Sequence, residues 1–295
     1  MISFFKRKTQ LKPMVKNKCI VCKSTKYGTF YEGIFRCREC GHTFSDLDLN
    51  YRQLSKIYSN KYFFGEEYNN YLADRNTIEK NFKQRLKVLE TFLVPDKHKY
   101  LLEIGCAYGF FLNMVYNRFE KVLGFDINKE GVLYARKELN VDAINGNFLE
   151  YDFGDRTFDI VAMWDTIEHF NNPDLLFNKI SNITGVGALI TITTGDIDSL
   201  NSRVRGNKWR LIHPPTHLHY FSKKTITKLL NKYGFEIIYN RYCGFHRSID
   251  VIAYRLLELQ RKQSKLYSIL RKLGLTNTSL YLNLYDIMYV IARKC

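Results

Sequence analysis

The sequence contains no run of about eighteen consecutive apolar residues, the length that would cross a bilayer as a helix. Its start, MISFFKRKTQLK, likewise lacks an apolar stretch long enough for a secretory signal. A chain made and kept in the cytoplasm is the expectation. Internal repeats and low-complexity tracts are also missing, which sets aside solenoid and compositionally biased classes. Acids are scarce: 29 Asp and Glu stand against 45 Lys and Arg, a formal net charge of +16. That excess favours anionic partners such as nucleic acid, phosphorylated sugars or acidic lipid headgroups, and says nothing about fold. Seven cysteines in a reducing compartment argue against a disulfide framework. Four of them are spaced like metal ligands.

With 295 residues, 45% of them hydrophobic, the chain can bury a substantial core. Residues 1–18 carry Lys6, Arg7, Lys8, Lys12, Lys16 and Lys18 without apolar periodicity and read as a flexible basic arm. Residues 49–98 begin with a dense aromatic segment containing Tyr58, Tyr62 and Tyr68, expected to dock on the main domain or close over a ligand. A helical pattern follows, with Ile78, Phe82, Leu86, Leu89 and Leu93 at spacings of three or four, ended by Pro95. From residue 99 strand and helix patterns alternate: strands over 99–105, 121–127, 141–148, 158–165, 186–194 and 235–243, helices over 110–119, 128–139, 172–183 and 223–234. This predicts an α/β, doubly wound parallel sheet with helices on both faces. Segments 99–245 and 284–295 form the core, the second holding a last strand, DIMYVIARK; 246–283 read as a helical insertion rich in Arg and Lys. Such a basic amphipathic pattern suits either a packed helix or a membrane surface.

Residues 19–48 form a separate cysteine-bearing unit. Cys19 and Cys22 make one C-x2-C pair, Cys37 and Cys40 a second, with fourteen residues between. Four thiolates complete a tetrahedral zinc site and leave no position for water, so the ion would be structural. Gly41 relaxes the turn after the second pair. The unit resembles a zinc ribbon, able to stabilise the chain or to dock substrate, protein or nucleic acid.

The stretch LLEIGCAYGFFL, residues 101–112, runs from a buried strand through Gly105, Cys106, Ala107, Tyr108 and Gly109 into a helix. Small residues at such a turn let backbone approach a ligand, and the helix start offers unpaired N–H groups. Asp126 ends the next strand, where an acid can accept both hydroxyls of a ribose. The spacing from Glu103 to Gly109 resembles the E/D-x-G-x-G-x-G signature of class I S-adenosylmethionine-dependent methyltransferases. The resemblance extends from about Tyr100 through Phe235 and to the closing strand. It is strongest for enzymes of bacterial surface-polysaccharide and secondary-metabolite pathways, and more distant for the O-methyltransferases of ubiquinone biosynthesis. It implies a seven-stranded Rossmann-like sheet. It also implies that Glu103 neighbours the cofactor's ammonium, with Gly105, Cys106, Ala107 and Gly109 shaping the loop. Asp126 would hold the ribose, Ile127 flank the adenine, and Asn147 and Phe148 lie at its far edge. Ala107 replaces the middle glycine, a change that a negative φ accommodates.

The fourth strand runs into WDTIEHF, which places Trp164 and Asp165 beside the methyl donor. Glu168 and His169 follow, with His169 placed to deprotonate an acceptor hydroxyl or to anchor the loop. The segment is also similar to the E-x-x-E-H metal-binding segment of ubiquinone-type and small-RNA 2'-O-methyltransferases, with Asp165 as a shorter first acid. Downstream, HPPTHLHYFS offers His213, His217, His219 and Tyr220, of which His217, His219 and Tyr220 are expected over the substrate pocket. The resulting expectation is methyl transfer to a hydroxyl, or secondarily an amine, of an anionic or sugar-linked small molecule. An RNA methyltransferase using the ribbon and basic surface is the alternative, although the fourth strand lacks the Asn-Pro-Pro-aromatic motif associated with base methylation. A non-catalytic ribbon scaffold is the third.

Overall fold

The computed structural model describes residues 18–295 except 60, 67–69, 255, 258–260 and 277. Apart from Lys18, the basic arm lies outside the described residues, as does Tyr68. In the ribbon, β1 (Tyr27–Tyr31), β2 (Ile34–Cys37) and β3 (Thr43–Ser45) form an antiparallel sheet around the cysteines. Next come α1 (Tyr51–Ile57), whose cap box joins Asn50 and Gln53, and the long α2 (Arg75–Glu90).

The core then alternates as expected: β4 (Tyr100–Ile104), α3 (Phe110–Val115), β5 (Lys121–Asp126), α4 (Lys129–Glu138), β6 (Ala143–Asn145), β7 (Phe158–Trp164), α5 (Pro173–Asn182), β8 (Thr184–Gly195), α6 (Leu200–Arg205), β9 (His219–Tyr220), α7 (Lys223–Lys232) and β10 (Phe235–Tyr242). An insertion of β11 (Phe245–Ser248), α8 (Ile249–Ala253), α9 (Ser264–Lys272) and β12 (Ser279–Leu282) precedes β13 (Ile287–Lys294). The seven-stranded sheet has the order β10-β13-β8-β7-β4-β5-β6, parallel from β8 to β6. The last strand, β13, runs antiparallel to both neighbours. Buried on nearly its whole length, it reads as a continuous apolar run, as a strand covered on both faces must.

One face of the sheet carries Phe82 and Leu86 of α2, Phe111 and Leu112 of α3 and Val132 of α4 in a single apolar cluster. The other carries Leu176 and Phe177 of α5, Leu229 and Leu230 of α7, and also Cys19, Ile20 and Val21 of the ribbon. The ribbon is therefore packed into the core. Strand β3 extends that contact by pairing antiparallel with β9, Thr43 opposite Tyr220 and Phe44 opposite His219. Buried His42 places its Nε2 3.0 Å from His219 Nδ1. Asp174 on α5 receives Lys23 of the ribbon together with Lys232 and the Tyr233 hydroxyl beside α7.

Three elements differ from their sequence expectation. The helix expected over 110–119 is α-helical only to Val115, then tightens into a three-residue 3₁₀ turn. The third strand stops at Asn145 because the Asn147 side chain accepts from the Leu149 N–H at 3.2 Å and turns the chain outward. Segment 246–283 contains helices, but β11 and β12 also pair antiparallel at its base. Asn81 of α2 clamps that strand pair, donating to the His246 carbonyl at 3.1 Å and accepting from its N–H.

Replacing His42 by Ala leaves a buried imidazole nitrogen of His219 without this partner, a loss worth about 1–3 kcal/mol. His42→Ala should lower the unfolding free energy by that amount in urea titration, with an unchanged denaturant dependence.

Candidate active site

A cavity of about 630 Å³ opens at the carboxyl ends of β4, β5 and β7, where ligands bind in sheets of this type. The loop after β4 forms one wall. Gly105 has φ +82°, and a Cβ there would lie 2.5 Å from Thr166 Oγ1, so only glycine fits. Gly109 is also left-handed, at φ +76°, but it faces Ala135 of α4, 2.7 Å from a built Cβ, and does not line the cavity. Cys106 likewise turns its side chain away: its Sγ packs against Gly124 in the apolar core. These two residues shape the loop from behind. Ala107 lines the cavity with φ +47°, contrary to the negative φ expected for an alanine there. The left-handed backbone is held by Asp126, whose Oδ2 accepts from the Ala107 N–H at 2.7 Å.

Asp126 is buried, and its Oδ1 accepts from the Asn128 N–H at 2.7 Å. Burial raises its pKa to about 6, against the lowering effect of those N–H bonds. Ile127, Asn147, Phe148, Trp164 and Asp165 line the same cavity. Among the buried polar atoms of the described residues without a hydrogen-bond partner are Oε2 of Glu103 and Nε1 of Trp164, at the ends of β4 and β7. Burial, followed by repulsion from Asp126, pushes the Glu103 carboxyl well above the usual range. The site thus keeps an acceptor and a donor in reserve beside a cavity of ligand size. An ammonium- and ribose-bearing ligand such as S-adenosylmethionine fits this donor set.

At the other wall, Asp165 is also left-handed, φ +51°. Its Oδ2 is 2.8 Å from Nη2 of Arg85, which approaches from α2. Burial would raise the Asp165 pKa, but Arg85 holds it below the ordinary carboxylate value. The pairing commits this acid to a guanidinium. Glu168, buried, accepts from Thr194 Oγ1 at 3.0 Å; burial and then Asp165 raise its pKa to about 8.

His169 and His217 meet across the cavity with ring centroids 4.8 Å apart. His169 Nδ1 lies 2.8 Å from the Thr216 carbonyl and His217 Nδ1 2.9 Å from the Leu211 carbonyl. Because a carbonyl only accepts, both Nδ1 atoms carry hydrogen, and Nε2 is the basic nitrogen of each ring. Desolvation keeps the His217 pKa well below its usual value, so its ring stays neutral. Glu168, His169 and His217 offer ligand atoms within 4.8 Å of one another, a spacing that a cation could bridge. His219 and Tyr220 are not brought to the cavity. His219 turns to His42 and Tyr220 pairs with Thr43 of β3, so both join ribbon to core, while the Tyr220 hydroxyl bonds the His217 carbonyl at 3.0 Å.

Several residues of the site escaped sequence reasoning. The sequence predicts that Tyr58 docks on the domain or closes over a ligand, but not its bonds: its buried hydroxyl donates to the Thr216 carbonyl at 2.7 Å and lies 2.8 Å from His169 Nδ1. Asn128 caps α4 and reaches back to the Tyr58 carbonyl at 2.7 Å. Arg85 had a legible signal: a charge on the apolar stripe of Phe82, Leu86 and Leu89. Away from the cavity, the four ribbon sulfurs lie within 4.8 Å of one another, with Cys19–Cys40 and Cys22–Cys37 separations of 3.5 Å. Tetrahedral zinc with bonds of about 2.3 Å requires sulfurs about 3.8 Å apart.

A ligand that donates hydroxyls to Asp126 requires its carboxylate ionised. Since the free site binds that proton with a pKa of about 6, affinity for the demethylated cofactor should fall about tenfold per pH unit below it and level off above. Asp126→Asn should weaken binding by about 1.5–3 kcal/mol and abolish this pH dependence, both read by calorimetry.

Comparison with known proteins agrees with this geometry. The family described as methyltransferase domain matches residues 72–240. A protein of Methanocaldococcus jannaschii named only as uncharacterized is 26% identical over 216 residues, 68% of this chain and 88% of that one. A probable S-adenosylmethionine-dependent methyltransferase of Mycolicibacterium smegmatis is 24% identical over 138 residues, 46% of this chain and 52% of that protein. Among solved structures, an S-adenosylmethionine-dependent methyltransferase of Thermotoga maritima superposes with a TM-score of 0.53 at 18% identity, covering 82% of this chain and 100% of that one. The chain belongs to the methyltransferase-domain family and is an S-adenosylmethionine-dependent methyltransferase.

Proposed function

We propose that this enzyme methylates a hydroxyl, with an amine as second choice, of a small acceptor that is anionic or sugar-linked. The observation that carries the reading is the facing pair His169 and His217, each with Nδ1–H tied to a backbone carbonyl and Nε2 left basic. S-adenosylmethionine, when bound, supplies a sulfonium methyl open to displacement by an acceptor oxygen. Glu103 and Trp164 would take its polar groups and Asp126 its ribose, with Ile127, Asn147 and Phe148 around the adenine. His169 or His217 takes the hydroxyl proton at Nε2. Glu168, its pKa raised to about 8, would add no second negative charge while it carries its proton. Tyr58, Tyr62, Phe63 and Tyr71 cover the cavity and exclude water, in which a charged methyl donor would be better solvated than in its aligned pose.

The acceptor end favours an anion. Arg210 and Arg247 both line it, their guanidinium carbons 5.2 and 5.0 Å from the centroid of Phe245. Arg210 also pairs with buried Asp286 at 2.9 Å, so a carboxylate, phosphate or glycosyl acid at this end would share its guanidinium with that acid. A cytoplasmic enzyme built on the core 99–245 and 284–295, with ribbon 19–48 as an appended support, is the corresponding organisation.

We further infer that Cys19, Cys22, Cys37 and Cys40 hold one structural zinc. The His42 N–H lies 3.5 Å from Cys40 Sγ, the kind of outer contact that stabilises a thiolate ligand.

Two measurements test these statements. His169→Gln and His217→Gln should lower kcat, by on the order of a hundredfold for whichever imidazole is the base, with product-cofactor affinity unchanged. Equal loss of affinity in both would show that the rings only support the pocket. Elemental analysis should find one zinc per chain in the wild type and little in Cys22→Ser, whose thermal midpoint should fall; a metal-free wild type of equal stability would refute the assignment.

A further inference from the structure

Helix α9 turns an apolar stripe toward water. Leu266, Ile269 and Leu273 fall on one side of the helix at spacings of three and four, and are 43%, 52% and 66% exposed. Leu275, just beyond the helix, is 58% exposed. This is not the face of a helix that has failed to dock. Tyr267, which points to another side, is buried, and its hydroxyl is 3.1 Å from an Asp250 carboxylate oxygen on α8. The inward side is satisfied, and the outward side is the one left apolar. Large side chains exposed in series on a fixed helix mark a contact surface.

Charge says what kind of surface. Between residues 261 and 276 the sequence has Arg261, Lys262, Lys265, Arg271 and Lys272, and no acid. Lys265 and Lys272, seven residues apart, lie along the same edge of the stripe. We propose that α9 and the turn after it hold the enzyme on a bilayer surface containing anionic lipid. The stripe would enter the boundary between headgroups and acyl chains, with the basic side chains on headgroup phosphates. Nucleic acid would use the charges and leave the leucines facing water. A second copy meeting this face across a two-fold axis would set five cations against five.

The same insertion walls the acceptor end of the cavity through Phe245, Arg247 and Val251. Tyr267 links α9 to α8, so the contact surface and that wall belong to one packed unit. An amphipathic acceptor, with its polar head in the cavity and its tail in the lipid, is the class this arrangement selects; that extension rests on the methyl-transfer reading.

Sedimentation of the full-length chain with vesicles tests the proposal without turnover, so its failure is separate from failure of the catalytic reading. Vesicles containing phosphatidylglycerol should bind the protein, and vesicles of phosphatidylcholine alone should bind it more weakly. The triple variant Leu266→Ser, Ile269→Ser, Leu273→Ser should lose about tenfold or more in partitioning. The double variant Lys265→Gln, Lys272→Gln should weaken binding only to the anionic vesicles. Both variants should retain wild-type heat stabilisation by the demethylated cofactor, which reports an intact fold. Absence of binding to anionic vesicles at low salt would overturn the proposal. So would undiminished binding by the folded triple variant, which is the charge-only behaviour of a nucleic-acid surface. A concentration-dependent dimer abolished by that variant, without vesicle binding, would assign the stripe to a second copy.

Discussion

The Asp126 carboxylate is buried and spreads its charge over two backbone N–H groups, those of Ala107 and Asn128. A buried carboxylate must be compensated, and these bonds compensate it while fixing the donor loop against the end of β5. The consequences propagate. Asn128 donates to the Tyr58 carbonyl, the Tyr58 hydroxyl donates to the Thr216 carbonyl, and the His169 Nδ1–H shares that acceptor. One chain of hydrogen bonds thus runs from the loop after β4 to the His169 imidazole on the opposite wall of the cavity. Tyr58 is held at two points, its main-chain carbonyl by Asn128 and its hydroxyl at Thr216 and His169, so the aromatic segment is better described as a strut than as a detachable lid.

The ribbon reaches the site by another route. Segment 209–218 presents Leu211, His213 and His217 to the cavity, then enters β9, which pairs with β3 of the ribbon. His42 and His219 close that junction. The segment carrying a proposed base is consequently held between core and ribbon. Folding of the cysteine unit and alignment of the acceptor side are coupled through packing, with about 1–3 kcal/mol at stake in a single buried polar contact.

The sheet was largely legible because its strands are buried on both faces and announce themselves as apolar blocks between helical patterns. Glu103, Gly105, Asp126 and the WDTIEH segment were legible as positions because strand ends are fixed once the strands are. What failed depended on direction. Cys106 and Gly109 sit inside the loop signature, yet one faces the core and the other α4, a distinction that spacing does not carry. His217 and His219 are two apart and suggest a shared face. However, His217 lies in a turn, its N–H bonded to the His213 carbonyl, and strand alternation begins only at His219. The charge of Arg85 on an apolar stripe is a local signal, but its partner Asp165 and the Tyr58 partner His169 lie roughly eighty and more residues away, and no local pattern names them.

Backbone strain gathers at the same place. Among the described residues, Ala107 and Asp165 are two of the non-glycine positions with left-handed φ, and both line the cavity at the ends of adjacent strands, β4 and β7. Each such residue costs about 1–2 kcal/mol relative to an ordinary conformation. For Ala107 the opposing bond is the one from Asp126. Asp165 has its own: its N–H lies 3.0 Å from the carbonyl of Thr193, and Arg85 holds its carboxylate. Neither backbone is needed to build the sheet, which would tolerate a relaxed turn at either end. The strain makes sense only if the two loops must approach each other closely, as Gly105 and Thr166 do, with a hypothetical Cβ at 2.5 Å. That closeness puts Gly105, Ala107, Asp165 and Thr166 on the wall of one cavity, so a ligand held there faces both loops.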